Sequence, residues 1–228
     1  MQTGIGIIIL IISYLIGSIP FGLIVVKIST GKDIRKIQSG RTGGTNAMRA
    51  AGLWAGVATT LLDLLKGACS VWLAKWILPD MPWFHVFAPL MVILGHNYSI
   101  FLVERDENGK IELNGGAGGA SSAGGSMGLW PPIMLFIVPI AIINLYFVGY
   151  ASVATLSAPF ITTIVFAILA WMGKLPWEYV VYGILAEILL AWSLRPNIKR
   201  LLNGTERLIG RRAKRAEETE NLDNQKLP

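Results

Sequence analysis

The sequence predicts an all-α fold: a polytopic membrane helix bundle of about seven transmembrane helices with a small cytoplasmic hairpin. Three observations predict it. The first is composition. Of 228 residues, 53% are hydrophobic and only 15% charged, where a soluble domain carries about a quarter charged, and the mean hydropathy is +0.55. The second is segmentation. Apolar runs at residues 5–26, 53–78, 83–103, 133–148, 151–171 and 175–194 approach the length a membrane helix needs, and a stretch of small residues between 115 and 130 supplies the remaining crossing. The third is where the charge sits. Most Lys and Arg fall at residues 27–49, at Arg105 with Lys110, and at residues 195–215, all beside apolar runs. A net charge of +6 arranged this way suits loops facing anionic headgroups, not a nucleic-acid footprint.

The run at 5–26 has no basic segment before it and is long, so it is expected to stay as a membrane helix rather than be cleaved as a signal. It is broken by Gly17-Ser18-Ile19-Pro20. Proline frees a backbone carbonyl, so the kink is expected to face protein or water, not lipid. Residues 27–49 form the first cytoplasmic loop. The run at 53–78 carries Asp63 and Lys66, three apart and on one helical face. Charges inside a span are costly and point to function. The alternative is a self-neutralising pair that orders the bundle. Trp72, Trp76 and Trp83 suit the opposite interface. The next run ends in Gly95-His96-Asn97. His96 has three candidate roles, orienting a loop, binding phosphate or exchanging protons, beside the commoner structural role of a histidine at a helix end.

Residues 104–113 are charged and contain Asn108-Gly109, a tight-hairpin signal. Every residue from 115 to 125 is Gly, Ala or Ser. One reading is a phosphate loop, with Gly115, Gly116 and Gly118 opening backbone N–H groups to an anion. The other is a close-packed helix using small-xxx-small spacing, Gly115/Gly119 and Ala120/Gly124. Both hold if a loop leads into a short helix ending at Trp130-Pro131-Pro132. Three more spans follow on short turns, with Ser152 at a cytoplasmic turn. Seven crossings place the N-terminus outside and the C-terminus inside. Residues from Arg195 read as a basic surface helix. A domain at 1–211 is thus followed by a polar cytoplasmic tail at 212–228, expected to be disordered. The single cysteine, Cys69, excludes an intrachain disulfide, and nothing in the residue pattern calls for a metal or cofactor.

The stretch from Ser39 to Arg49 organises the chemistry. Its glycines let backbone N–H groups turn inward, Ser39, Thr42 and Thr45 add hydroxyls, Asn46 adds an amide, and Arg41 and Arg49 add forked cations suited to phosphate. A helix starting near Asn46 would place Arg49 in its first turn, against the helix dipole unless an anion lies between them. The two readings are a phosphate cradle at a membrane surface and a solvated basic loop obeying the positive-inside rule.

The motifs Gly17-Ser18-Ile19-Pro20-Phe21-Gly22, Asp33-Ile34-Arg35, Ser39-Gly40 through Thr45-Asn46 and Arg49, Asp63-x-x-Lys66-Gly67, Gly95-His96 with Phe101, Tyr150-x-Ser152, and Asn197-Ile198-x-Arg200-Leu201 with Gly204-Thr205-Glu206 occur in this order. Together they resemble the bacterial acyl-phosphate:glycerol-3-phosphate acyltransferase family (the PlsY type), over about residues 14–211. The resemblance implies a multipass enzyme of the bacterial cytoplasmic membrane. It would move an acyl group from acyl phosphate to the 1-hydroxyl of glycerol 3-phosphate, giving lysophosphatidic acid. It implies that Ser39, Arg49 and Ser152 contact the phosphates and that Asn197 helps bind glycerol 3-phosphate. Two departures stand out. Ala117 occupies the place of the family's glycine-loop lysine, and Leu194 that of a histidine three residues before the asparagine. Arg41 and Lys110 are candidates to replace the lost cation. The departures leave a catalytically altered paralogue, one that binds or carries a phosphorylated lipid or polyol, as the alternative.

Overall fold

The structure, a computed structural model, describes residues 2–105, 109–215 and 218–219. Six helical stretches among them are long and apolar enough to cross a membrane: Gln2–Thr30, Leu53–Ile77, Pro82–Leu102, Pro131–Val148, Ala151–Trp171 and Glu178–Leu202. Large apolar side chains such as Ile7, Trp76, Leu135 and Trp171 cover the outside, as a bundle solvated by lipid requires. The interior is packed around Val71, Ile93, Leu129, Phe166, Tyr182 and Leu190.

The first stretch is two helices, α1 (Gln2–Ser18) and α2 (Phe21–Thr30), broken at Ile19-Pro20. The freed carbonyls are met by protein, as the proline predicts. Lys66 Nζ donates to Gly17 O (2.9 Å) and Ile19 O (3.3 Å), and Ser99 Oγ donates to Ser18 O (2.6 Å). After the loop comes α3 (Gly44–Ala51), then α4 (Leu53–Ile77) and α5 (Pro82–Asn97). Because α3 starts at Gly44, Arg49 lies in its last turn, not its first. The dipole there favours a cation, so no bound anion is needed to explain the helix.

Strands β1 (Val103–Arg105) and β2 (Ile111–Leu113) pair antiparallel, Val103 opposite Leu113. The turn expected at Asn108-Gly109 falls partly outside the described residues. The small-residue run divides as both readings together require: an extended loop to Gly118, then α6 (Gly119–Leu129). Gly115 is therefore in the loop and its pairing with Gly119 on one helix face does not form. The close contacts lie further on, where a Cβ at Gly67 would strike Ser121 O and one at Gly124 would strike Leu64 O. At 11 residues α6 is only about 16 Å long, too short for a ~30 Å hydrocarbon core. It nonetheless runs parallel to α4, and Lys75 Nζ takes its last carbonyls, Gly128 O (3.0 Å) and Leu129 O (2.8 Å). Six stretches among the described residues are thus long enough to cross, against the seven expected, and α6 is not one of them.

Helix α7 (Met134–Ile143) continues through a wider turn to Val148, and α8 (Ala151–Trp171) follows after one sharp bend. α7 belongs to the least buried span of the bundle. The last helix, α9 (Glu178–Leu202), passes straight through Pro196, so the surface helix expected from Arg195 is the end of the last span. Pro196 is on an exposed face, where the lost backbone hydrogen bond is tolerated. The chain then folds back across the end of the bundle: Ile209 N–H donates to Gly149 O (2.9 Å) and Arg212 Nη1 to Val148 O (2.9 Å). Residues 211–215 are helical, and most of the tail beyond lies outside the described residues.

Candidate active site

A cavity of about 320 Å³ opens at the end of the bundle where α3, the glycine loop, α8 and the fold-back meet. Ser39, Arg41, Thr45, Asn46, Arg49, Gly118, His96, Ser152 and Asn197 all line it, as does Asp63. From this polar end it runs between α4, α6, α7 and α8 as an apolar groove bordered by Leu64, Ala123, Met134, Ile137 and Ala141. A second cavity, of about 360 Å³, lies on the other side of Ser39 and Arg41 and is lined by Gly115, Gly116, Asn97, Arg35 and Arg195. The sequence-predicted residues thus converge, except that Gly115 and Gly116 face the neighbouring cavity and Lys66 faces neither.

The first loop is clasped before it reaches the cavity. Asp33 accepts from the Arg35 backbone N–H (3.0 Å) and pairs with the Arg35 guanidinium (2.6 Å), which holds its carboxyl down at about 2. Arg35 reaches on to Glu104 at the hairpin (2.6 Å). Asn46 Nδ2 donates to Ile34 O (3.2 Å), Ile37 O (3.0 Å) and Arg41 O (2.9 Å). Its donors shape the loop, while its Oδ1, buried and without a partner, is left over in a residue that lines the cavity.

Arg41 and Arg49 are half-buried, unlike the exposed Arg195 and Arg207 nearby, and no carboxylate pairs with either among the described residues. Arg41 donates to Ser193 O (2.7 Å) and, at 3.4 Å, to Ser193 Oγ. Arg49 makes neither a hydrogen bond nor an ion pair there. Burial pushes both guanidinium pKa values down, helped at Arg41 by the charge of Arg200 and at Arg49 by that of Arg207. An arginine stays charged regardless, so a half-buried, unpaired pair of arginines favours any anion that enters. Ser152 stands in the first turn of α8 and is 2% exposed. Its Oγ is buried without a partner at the cavity wall, a hydroxyl left to bond a ligand.

Asn197 is oriented by Glu206. Its Nδ2 donates to Glu206 Oε1 (2.8 Å), while Glu206 Oε2 accepts from Arg200 Nε (3.1 Å). A carboxylate only accepts, so the amide must turn its N–H side to Glu206 and leave Oδ1 over. That Oδ1 is buried and unpartnered. Glu206 itself was not singled out as a site residue by the sequence. Its motif, Gly204-Thr205-Glu206, is visible there, but the fold-back that brings it to the cavity is not.

The Asp63/Lys66 pair supports both sequence readings at once. It is a buried ion pair at 2.8 Å that also braces the α1–α2 break, and its carboxylate borders the cavity. Lys66 Nζ further donates to His96 Nδ1 (2.8 Å), so its three N–H bonds are shared among four acceptors, Asp63 included. His96 O accepts from Gly116 N–H (2.8 Å), and Gly115 O from Thr42 N–H (3.3 Å), which ties the glycine loop to both neighbours. The N–H of Gly116 is therefore not free for phosphate. Gly118, at φ +86°, keeps the backbone open at the cavity edge. The two departures, Ala117 and Leu194, both line this cavity, whereas Lys110 lines neither.

The family model described as glycerol-3-phosphate acyltransferase matches residues 7–204. The glycerol-3-phosphate acyltransferase of Thermus thermophilus is 35% identical over 205 residues, covering 90% of this chain and 95% of its own. Glycerol-3-phosphate acyltransferase 2 of Moorella thermoacetica is 36% identical over 208 residues, covering 90% and 97%. The crystal structure of PlsY (YgiH), an integral membrane glycerol 3-phosphate acyltransferase, in its glycerol 3-phosphate form superimposes with a TM-score of 0.75 at 30% identity, covering 90% of this chain and 96% of that one. Its lysophosphatidic acid form gives 0.72. Agreement that runs through both membrane bundles almost end to end, in sequence and in fold, makes this chain a member of the glycerol-3-phosphate acyltransferase family.

Proposed function

We propose that the protein transfers the acyl group of an acyl phosphate to the 1-hydroxyl of glycerol 3-phosphate, giving lysophosphatidic acid for phospholipid synthesis and releasing phosphate. One observation carries the reading. A cradle holding two unpaired, half-buried arginines is continuous with an apolar groove along the least buried span, so one site suits both a lipid donor and a water-soluble acceptor. The glycerol 3-phosphate and lysophosphatidic acid forms of the similar PlsY support the acceptor and the lipid product of this reaction.

Ser39, Arg49 and Ser152 hold the two phosphates, with Arg41, Thr45 and the Gly118 backbone beside them. Asn197 Oδ1 accepts from a hydroxyl of the acceptor, which a phosphate oxygen cannot offer. Acyl phosphate is already activated, so positioning and charge stabilisation supply most of the catalysis. Cationic donors set two phosphates side by side and offset their repulsion. The acceptor oxygen bonds to the acyl carbon, the bond from that carbon to the phosphate oxygen breaks, and the phosphate leaves with the hydroxyl proton. The cavity's polar mouth faces the cytoplasm, because the basic segments gather at that end of the bundle. The N-terminus is then outside and the C-terminus inside the bacterial cytoplasmic membrane.

Expression in a strain conditionally lacking its own enzyme tests this. Rescue of growth, with acyl transfer from acyl phosphate in its membranes, is the expected result. No rescue and no product contradicts it. Ala117 and Leu194 favour one second reading, a protein that binds phosphorylated lipid without turnover. That reading predicts binding of glycerol 3-phosphate with no ester formed, and a gain of activity in Ala117→Lys.

A further inference from the structure

The proposed reaction gives each phosphate its donors and leaves the reacting carbonyl without one. Resting on that reading, we propose that His96 is a catalytic hydrogen-bond donor, its Nε2–H binding the acyl carbonyl oxygen and stabilising the charge that develops on it. Lys66 and Asp63 are the positioning residues that hold the ring in this state. The tautomer follows from the hydrogen bonds. Lys66 Nζ lies 2.8 Å from His96 Nδ1 and sits beside Asp63 Oδ1 at the same distance. An ammonium only donates, so Nδ1 accepts and Nε2 carries the proton. The competing contact, Nδ1 to Asp63 Oδ1 at 3.5 Å, is too long to reverse this. Nε2 makes no hydrogen bond among the described residues.

The place of the ring matches the carbonyl. The imidazole edge rests against Gly116, where a Cβ would collide with Nε2. His96 lies 3.5 Å from Asp63, and both line the cavity that joins the polar cradle to the apolar groove. In an acyl phosphate the carbonyl is the atom group at that same junction. A phosphate dianion this close to the Asp63 carboxylate is repelled. A carbonyl that gains charge only as the bond forms suits a neutral, preorganised donor. His96 cannot serve as the base, since one nitrogen is occupied by Lys66 and the other is protonated. It keeps its proton throughout, and the hydroxyl proton still leaves on the phosphate.

Two substitutions separate the donor from the scaffold. His96→Asn places an acceptor where Nδ1 was and satisfies Lys66, but leaves nothing at Nε2. His96→Gln places an N–H donor near Nε2. The expected result is a kcat in His96→Asn lowered about 10²–10³-fold, the usual loss for one such donor, with KM for either substrate within about threefold. His96→Gln is expected to retain most activity. A carbonyl-labelled acyl phosphonate, in which a methylene blocks transfer, reports the same bond by infrared. Its carbonyl band is expected at lower frequency in the unmodified protein and in His96→Gln than in His96→Asn. Equal bands in all three, equal kcat in both variants, or a loss confined to KM overturns the proposal. Turnover by the unmodified protein judges the acyl-transfer reading separately.

Discussion

Asn197 is the residue whose role the local chemistry defines most closely. Glu206 takes its N–H side, so the oxygen left over is one that only a donor such as a hydroxyl can satisfy. A site built to bond a hydroxyl rejects an analogue that lacks it. Glycerol 3-phosphate should therefore be preferred over 3-hydroxypropyl phosphate, and Asn197→Leu should erase the preference while inhibition by inorganic phosphate stays unchanged. Comparing kcat/KM for the two acceptors checks this. Asp33 makes the matching case for pH. Its carboxyl is held at about 2 in the folded loop, against an ordinary 3.8. A depressed carboxylate contributes stability that is complete above its unfolded value and lost as pH falls through its folded one. The Asp33–Arg35 clasp should therefore stay closed down to pH 3.8 and open only below it. A spin label on the loop would report opening. Any fall in activity between neutral pH and pH 5 then has another source, which Asp33→Asn, by showing the same fall, would verify.

Among the elements, the broken first span and α4 depend on one side chain. Lys66 bonds two carbonyls at the α1–α2 break, His96, and the buried Asp63. Removing one partner of a buried ion pair costs about 3–5 kcal/mol, since the other is left uncompensated. Lys66→Met should therefore lower the melting temperature in detergent sharply, and adding Asp63→Leu should recover part of the loss. Elements of this kind were legible in the sequence for different reasons. The break was readable because proline removes a donor wherever it stands. A close-packed helix in the small-residue run was readable because glycines without side chains invite it, although its partner α4 and the glycines that meet were not: the contacts at Gly67 and Gly124 are set by the register of two helices. The continuation of α9 through Pro196 was not readable, since exposure, not residue type, decides whether the lost bond matters. Nor was the fold-back after Leu202, whose partners lie at Val148 and Gly149. With it went Glu206, although Ser39, Arg49, Ser152 and Asn197 could be gathered from their motifs.

The molecule as a whole joins two solvents at one cavity. Its polar end is walled by α3 and the fold-back, and its apolar end by α7, the span that fewest neighbours cover. In the proposed reaction the acyl chain would lie along that wall without leaving the hydrocarbon layer, while the acceptor stays in water. Narrowing the groove with Ala141→Trp should lower kcat/KM for long-chain acyl phosphates several-fold more than for short ones, and a ratio that ignores chain length would place the donor elsewhere. The central claim is that the two unpaired arginines and the groove form one site for acyl transfer. The most direct measurement is lysophosphatidic acid formed from acyl phosphate and glycerol 3-phosphate by the purified protein in lipid vesicles, beside Arg49→Ala. A hydrogen bond to a charged group contributes about 1.5–3 kcal/mol, so product should form and the variant should be slower by about 10–100-fold. No product from the unmodified protein, or equal rates from the two, would contradict the account.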